Sequence, residues 1–244
     1  MKLEGKIALV TGASIGIGRQ IAIAIAANGG RVALVARSIK GLHETEEMIR
    51  QSGGEAKIFV TDLRDEQAIN KLWEAVSKTW GSIDILANVA GVWHDENTVY
   101  QGPHLEDIPA EQINEVLNVG TRAPMLLTRL VLPGMIAKKS GKILNISGTF
   151  ESGASGWLHY YVSKKALEDF TIGLAEEVRE HEVQVNCISP SDTLTEAYRK
   201  FFPDYAENEV INPAEIAKLA TFLLSADTDN ITGAIVVVRN KAAH

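Results

Sequence analysis

Two groups of residues in this 244-residue chain have the types and spacing that chemistry uses. Tyr160 and Lys164 lie four positions apart at the start of a helical pattern, which puts both side chains on one helix face. A tyrosine ordinarily ionises near pH 10, and a neighbouring ammonium favours the phenolate and lowers that value. Such a pair is suited to give and take a proton at an oxygen, as carbonyl chemistry requires. Tyr161 and Lys165 repeat the same spacing, and spacing alone does not choose between the pairs. The second group is residues 11–18, Thr-Gly-Ala-Ser-Ile-Gly-Ile-Gly. Glycines there let the backbone turn sharply and approach a pyrophosphate. A helix N-terminus behind them offers free N–H donors and a partial positive charge.

The elements that must position these groups are legible as apolar periodicity. Strand-like runs fall at 7–11, 32–36, 56–60, 85–88, 142–147, 183–189 and 234–238. Most are apolar on both faces, as in a parallel sheet covered on two sides by helices. Helical patterns fall between them, at 16–28, 40–52, 66–80, 110–138, 157–181 and 213–225, with Pro124 and Pro133 expected to interrupt the fourth. The alternation predicts an α/β fold: a doubly wound parallel sheet of Rossmann type. No linker, repeat or low-complexity tract divides residues 1–244, so a single domain is expected. Two long irregular stretches remain, 91–109 with Gly102 and Pro103, and 190–213 with Pro203. Both leave strand ends where the ligand crevice of an open α/β sheet lies, so both are candidate walls, the second as a substrate loop.

The second strand ends Val35-Ala36-Arg37-Ser38. An acid at this end of a dinucleotide fold holds the adenosine ribose hydroxyls of NAD. Here Arg37, with Ser38 as a further donor, suits a 2′-phosphate and points to NADP, NAD remaining possible. Asp62 stands just past the third strand, placed either to accept from an adenine amino group or to cap the next helix. The single cysteine, Cys187, lies in a strand pattern and reads as a buried structural thiol. A formal net charge of -7 argues against nonspecific nucleic-acid or anionic-membrane binding. No apolar run reaches the length of a membrane span, and Met1-Lys2-Leu3-Glu4-Gly5 does not read as a signal peptide, so the cytoplasm is the expected location. No cluster has metal-ligand spacing. His94 and His159 read as structural or solvent-facing.

In combination these motifs resemble the short-chain dehydrogenase/reductase family over nearly the full length, the N-terminal half being similar to 3-oxoacyl-[acyl-carrier-protein] reductases. The matching pieces are residues 11–18, Asp62, Asn88-Val-Ala-Gly91, Asn118 in Leu-Asn-Val-Gly, Ser147 in Asn-Ile-Ser-Gly, Tyr160-Tyr-Val-Ser-Lys164, Pro190 and Ile231-Thr-Gly233. The family's Tyr-x-x-Ser-Lys pattern selects Tyr160 and Lys164, because Ser163 precedes Lys164. The resemblance implies an NAD(P)-linked oxidoreductase interconverting a ketone or 3-oxoacyl group and its alcohol. It implies an Asn118, Ser147, Tyr160, Lys164 tetrad. Tyr160 would protonate the carbonyl oxygen, and Lys164 would tune Tyr160 and bond the nicotinamide ribose. Ser147 would polarise the carbonyl, and Asn118 would hold a relay water. Gly12, Ser14, Gly16, Ile17 and Gly18 would cradle the pyrophosphate. Asp62, Leu63, Asn88, Ala90 and Gly91 would line the adenosine side, and Pro190, Thr193 and Thr195 the nicotinamide side. A homodimer or homotetramer is implied, paired through 110–138 and 157–181.

The chain departs from the family pattern at several points. Counting back thirteen residues from Tyr160 puts the serine at Ser147, whereas counting along the strand puts its slot at Gly148. The first count assigns the role to Ser147. Ile15 stands where many NADP-using members carry a basic residue, Val89 and Ser191 replace an asparagine and a glycine, and residues 238–241 replace a common Asp-Gly-Gly tail. Trp93, His94, Tyr100, Trp157, His159, Tyr198, Phe201, Phe202 and Tyr205 either wall an apolar pocket for a hydrophobic ketone or acyl chain, or pack the loops down. The competing reading is a cofactor-binding sensor or scaffold with little turnover.

Overall fold

The computed structural model describes residues 2–102, 104–150, 154–204 and 209–240; Pro103, Tyr205 and Lys241 lie outside them. Burial within the first strand sets the architecture. In β1 (Ile7–Thr11) every residue is buried, yet Ala8 and Val10 pack into one apolar core while Ile7 and Leu9 pack into another. A strand apolar on both faces has to be sandwiched.

The other strands are β2 (Arg31–Ala36), β3 (Glu55–Val60), β4 (Ile85–Asn88), β5 (Gly141–Ile146), β6 (Val183–Pro190) and β7 (Ile235–Val238). They form one seven-stranded sheet in the order β3-β2-β1-β4-β5-β6-β7. Every pair is parallel. Leu9 is level with Ala33 of β2 and Leu86 of β4. One helical layer comprises α1 (Gly16–Ala27), α2 (Ile39–Gln51) and α8 (Pro213–Leu224), burying Ile21, Leu42 and Ile216 against the sheet. The opposite layer comprises α3 (Glu66–Trp80), α5 (Ala123–Lys138) and α6 (Leu158–Glu177), burying Leu72, Leu127 and Leu174. This is the doubly wound single domain expected, with every strand end within a residue of its predicted place.

Two segments differ from expectation. The helix expected over 110–138 is α4 (Ala110–Leu117), then a π turn over Asn118–Arg122, then α5. Pro124 lies in the first turn of α5, where its missing N–H leaves the widened turn ahead of it without an α-helical donor. Within the stretch 190–213 a short helix, α7 (Glu196–Phe201), forms with the Thr195 hydroxyl accepting from the Tyr198 N–H. Six residues are too few to show a helical period. The order of strands reverses at β1 and β4, so their carboxyl ends open the crevice at which such sheets bind ligands.

Candidate active site

A cleft of about 1120 Å³ opens at this switch point. Its floor is the glycine turn after β1. Thr11 Oγ1 accepts from the N–H groups of Val89 and Ala90 at 2.9 and 3.1 Å, tying the β4 exit to that turn. Gly12 has φ +67, and a Cβ there would stand 3.1 Å from Ala90 Cα; at Gly18 it would stand 2.2 Å from the Gly12 carbonyl oxygen. Only glycine lets these three backbone segments approach so closely. The result is a concave backbone surface at the N-terminus of α1, whose N-cap residue Ile15 supplies no capping side chain. This cradle fits a dinucleotide pyrophosphate. Glu196 of α7 reaches back to it, accepting from Gly16 N–H at 2.9 Å and from Arg19 at 3.1 Å.

At the adenosine end, Arg37 lies 3.6 Å from Glu115 and stays 55% exposed at its side chain. Glu115 also pairs with Arg64 at 3.0 Å and accepts from the Tyr100 hydroxyl at 2.9 Å. Ser38 caps α2, accepting from Gly41 N–H. Asp62 accepts from the backbone and guanidinium of Arg64, which holds its carboxyl below the usual range. Asp65, not Asp62, caps α3. Arg64 and Glu115 were not nominated by the sequence. Arg64 stands two positions after Asp62, which was the available signal; Glu115 had none.

Of the nominated catalytic and cofactor residues, all but Asn88 and Asn118 border the cleft, and of the nominated wall residues that are described, all but His159 and Phe201 do. Asn88 Nδ2 donates to Asn145 Oδ1 at 2.9 Å, and Asn145 Nδ2 to Thr171 Oγ1 at 2.9 Å. Its carboxamide therefore links β4, β5 and α6 beneath the sheet instead of lining the adenosine side. Asn118 opens the π turn and borders a smaller depression with Tyr100, Gln112 and Glu115. That turn packs on α6, where Thr121 and Ser163 hydroxyls are 3.0 Å apart and a Cβ on Gly120 would lie 2.3 Å from Ser163 Oγ.

Helix α6 chooses between the two tyrosine–lysine pairs. Tyr160 and Lys164 face the cleft, whereas Lys165 is exposed and pairs with Glu168. Lys164 is 2% exposed, and its Nζ sits 5.3 Å from the Tyr160 ring centroid while donating to the Ile146 carbonyl at 3.0 Å. Lys164 makes no hydrogen bond to the Tyr160 hydroxyl in this geometry. Burial, reinforced by the Asp192 carboxylate, pushes the Tyr160 phenol well above its usual value. Burial likewise pushes the Lys164 ammonium down to about 8. Desolvation outweighs the mutual attraction because the ammonium lies over the ring and makes no hydrogen bond to the hydroxyl.

The serine assignment is also corrected. Ser147 is 3% exposed, and its Oγ donates to Glu168 Oε1 at 2.8 Å. Ser189 Oγ donates to the same oxygen at 3.0 Å. The Ser147 hydroxyl is thus committed to a buried carboxylate behind the cleft wall. A Cβ on Gly148 would point between the Phe150 ring and Lys164 Cγ, at 3.6 and 3.7 Å. The strand register therefore puts the cleft-facing slot at Gly148, which has no hydroxyl. Thr149 does not replace it, since its Oγ1 donates to the Ser189 carbonyl at 2.7 Å.

A doubly wound parallel sheet with a glycine cradle at one end of its cleft and a buried Tyr–Lys pair along the wall defines a dinucleotide-dependent oxidoreductase. The family model for short chain dehydrogenases matches residues 6–206. The chain belongs to that family, and with it to the nicotinamide-dependent enzymes that interconvert CH–OH and C=O groups. It is 32% identical over 242 residues to a 3-oxoacyl-[acyl-carrier-protein] reductase of Vibrio harveyi, covering 96% of this chain and 95% of that one. A metagenomic short-chain oxidoreductase in complex with NADP superposes with a TM-score of 0.85 at 32% identity, over all of both chains. A 3-ketoacyl-(acyl-carrier-protein) reductase of Brucella melitensis complexed with NADH gives 0.87 at 26% identity, over 98% of each. Among the described residues no helix is long and apolar enough to cross a membrane.

Proposed function

We propose that this protein is an NADP-preferring carbonyl reductase, running as an alcohol dehydrogenase in reverse, with Tyr160 as the proton-transfer group. The observation that carries the reading is the shared wall: Tyr160 and Lys164 border the same cleft as the glycine cradle and Arg37. Gly12, Gly16, Ile17 and Gly18 would hold the pyrophosphate, and Arg37, Ser38 and Arg64 would receive the 2′-phosphate. Leu63, Ala90 and Gly91 flank the adenosine, and Pro190, Thr193 and Thr195 the nicotinamide half. A nicotinamide held there would supply hydride to, or accept it from, the carbonyl carbon. The tyrosine hydroxyl, kept protonated by burial, donates to the carbonyl oxygen as the alcohol forms. Lys164 lies against Gly91, where a Cβ would be 3.0 Å from Nζ, and would hold the nicotinamide ribose from there. Ser147 and Asn88 act as positioning residues that fasten the strand ends, and Gly148 leaves the carbonyl without a serine donor.

Support for NADP is the absence of an acid at the β2 end and the presence of two guanidiniums there. Exposed apolar side chains on α5 and α6, Met125, Leu158, Val162 and Ile172, support a homo-oligomer paired through those helices. The test is NADPH oxidation against a panel of ketones. Turnover by the wild type, abolished in Tyr160→Phe with NADPH affinity retained, is expected. Tight NADPH binding with no turnover on any carbonyl would instead favour a sensor.

A further inference from the structure

The substrate end of the cleft is closed by a ring of side chains whose contacts form a circuit. Tyr160 contacts Trp157 with centroids 5.9 Å apart, and Trp157 contacts Trp93 at 6.5 Å. Trp93 stacks on Phe202 at 6.3 Å, and Phe202 meets Tyr198 at 4.8 Å. Tyr198 then hydrogen-bonds the carboxylate of Asp192, and Asp192 acts electrostatically on Tyr160, which returns to the starting point. All six residues border the cleft.

Asp192 is the one carboxylate in this ring, and it is exposed to solvent. No lysine, arginine or histidine among the described residues pairs with it. Lys200, which also borders the cleft, donates to the Glu96 carbonyl at 2.5 Å. An exposed carboxylate beside aromatic rings is available to a ligand, and covering it without a countercharge would be costly. Ring faces and a carboxylate both attract a cation, and together they make the arrangement that recognises organic ammonium groups. Asp95 and Glu96 at the rim add the same sign of charge. A purely apolar acyl chain would leave Asp192 desolvated and unpaired, and an anionic carrier would be repelled.

Resting on the carbonyl-reductase reading, we propose that the substrate is an apolar carbonyl compound bearing a protonated amine, or the matching amino alcohol, with its ammonium held by Asp192 inside the aromatic ring. Asp192 is the specificity-determining residue, and Tyr160 handles the carbonyl oxygen.

Two measurements on the full-length, NADP-loaded protein test this. The first is titration with benzylammonium and with benzyl alcohol, followed by calorimetry and by the fluorescence of Trp93 and Trp157. Benzylammonium should bind about tenfold more tightly or better, and Asp192→Asn should level the two while Asp192→Glu keeps the difference. Equal affinities in the wild type overturn the proposal. Unchanged NADPH affinity in Asp192→Asn reports an intact fold. The second compares turnover of 3-aminopropiophenone with its neutral isostere butyrophenone. A preference for the amine in kcat/KM of about tenfold, carried by KM, lost in Asp192→Asn and kept in Asp192→Glu, is expected. Butyrophenone reduced as well as the amine refutes the cation site and leaves the reductase reading standing. No turnover of either defeats the reductase reading, and the binding titration then decides the cation site by itself.

Discussion

Lys164 should make this protein more stable as the solution becomes alkaline, against the usual behaviour of lysines. Its ammonium is buried and its one hydrogen bond runs to the Ile146 carbonyl, which a neutral amine also satisfies. Burial lowers its value from 10.5 to about 8. Below pH 8 both folded and unfolded states carry the charge, and the folded state bears the desolvation. Between pH 8 and 10.5 the folded amine is neutral while the unfolded one still binds a proton. The unfolded state then binds more protons, so stability rises with pH across that window. At about 1.4 kcal/mol per unit the gain is about 3 kcal/mol. Three buried groups oppose it at the alkaline end: Cys187, Tyr100 and Tyr160, all pushed up by burial, keep protons when folded that they lose when unfolded. The comparison must therefore be differential. Urea unfolding of wild type and Lys164→Met, without nucleotide, at steps from pH 7 to 10 isolates the contribution. Lys164→Met should be the more stable form at pH 7, with its advantage shrinking steadily above pH 8. Parallel curves over that range would show that the ammonium is solvated or paired in the folded state, and the burial argument would be wrong.

Ser147→Ala removes a hydrogen bond to a buried carboxylate, so it should lower stability by about 2 kcal/mol and the melting temperature by several degrees, with kcat retained; a large loss of kcat at unchanged stability would return the catalytic role to Ser147. Gly148→Ser adds a Cβ at ordinary contact distances and puts a hydroxyl on the cleft wall, so kcat should rise by about tenfold, and a fall would show that the vacated slot lies elsewhere. Arg37→Ala should weaken NADPH by about tenfold more than NADH, measured by fluorescence titration; equal losses would refute the 2′-phosphate assignment.

The sheet and the cradle were legible because their causes are local. Runs such as Ala8-Leu9-Val10, apolar on both faces, can only be central strands of a covered parallel sheet. Gly12 and Gly18 announce a turn that no other residue can make at those approaches. The Tyr160 and Lys164 pair was legible as a spacing on one helix. Other features depend on segments distant in sequence. Whether Ser147 or Gly148 faces the cleft turns on strand register against α6, where Glu168, twenty-one residues on, captures the Ser147 hydroxyl. The side of the sheet to which Asn88 turns depends on Asn145 and Thr171. Arg64 and Glu115 meet because α4 folds over the β3 exit, and Asp192 acts on Tyr160 because the segment between β6 and α7 borders the same cleft as α6. Strand period, glycine turns and helix faces are properties of a few consecutive residues and were set by the chain alone. Proton affinities and hydroxyl partners depend on burial and on groups brought together across the fold, so only the tertiary structure decided them.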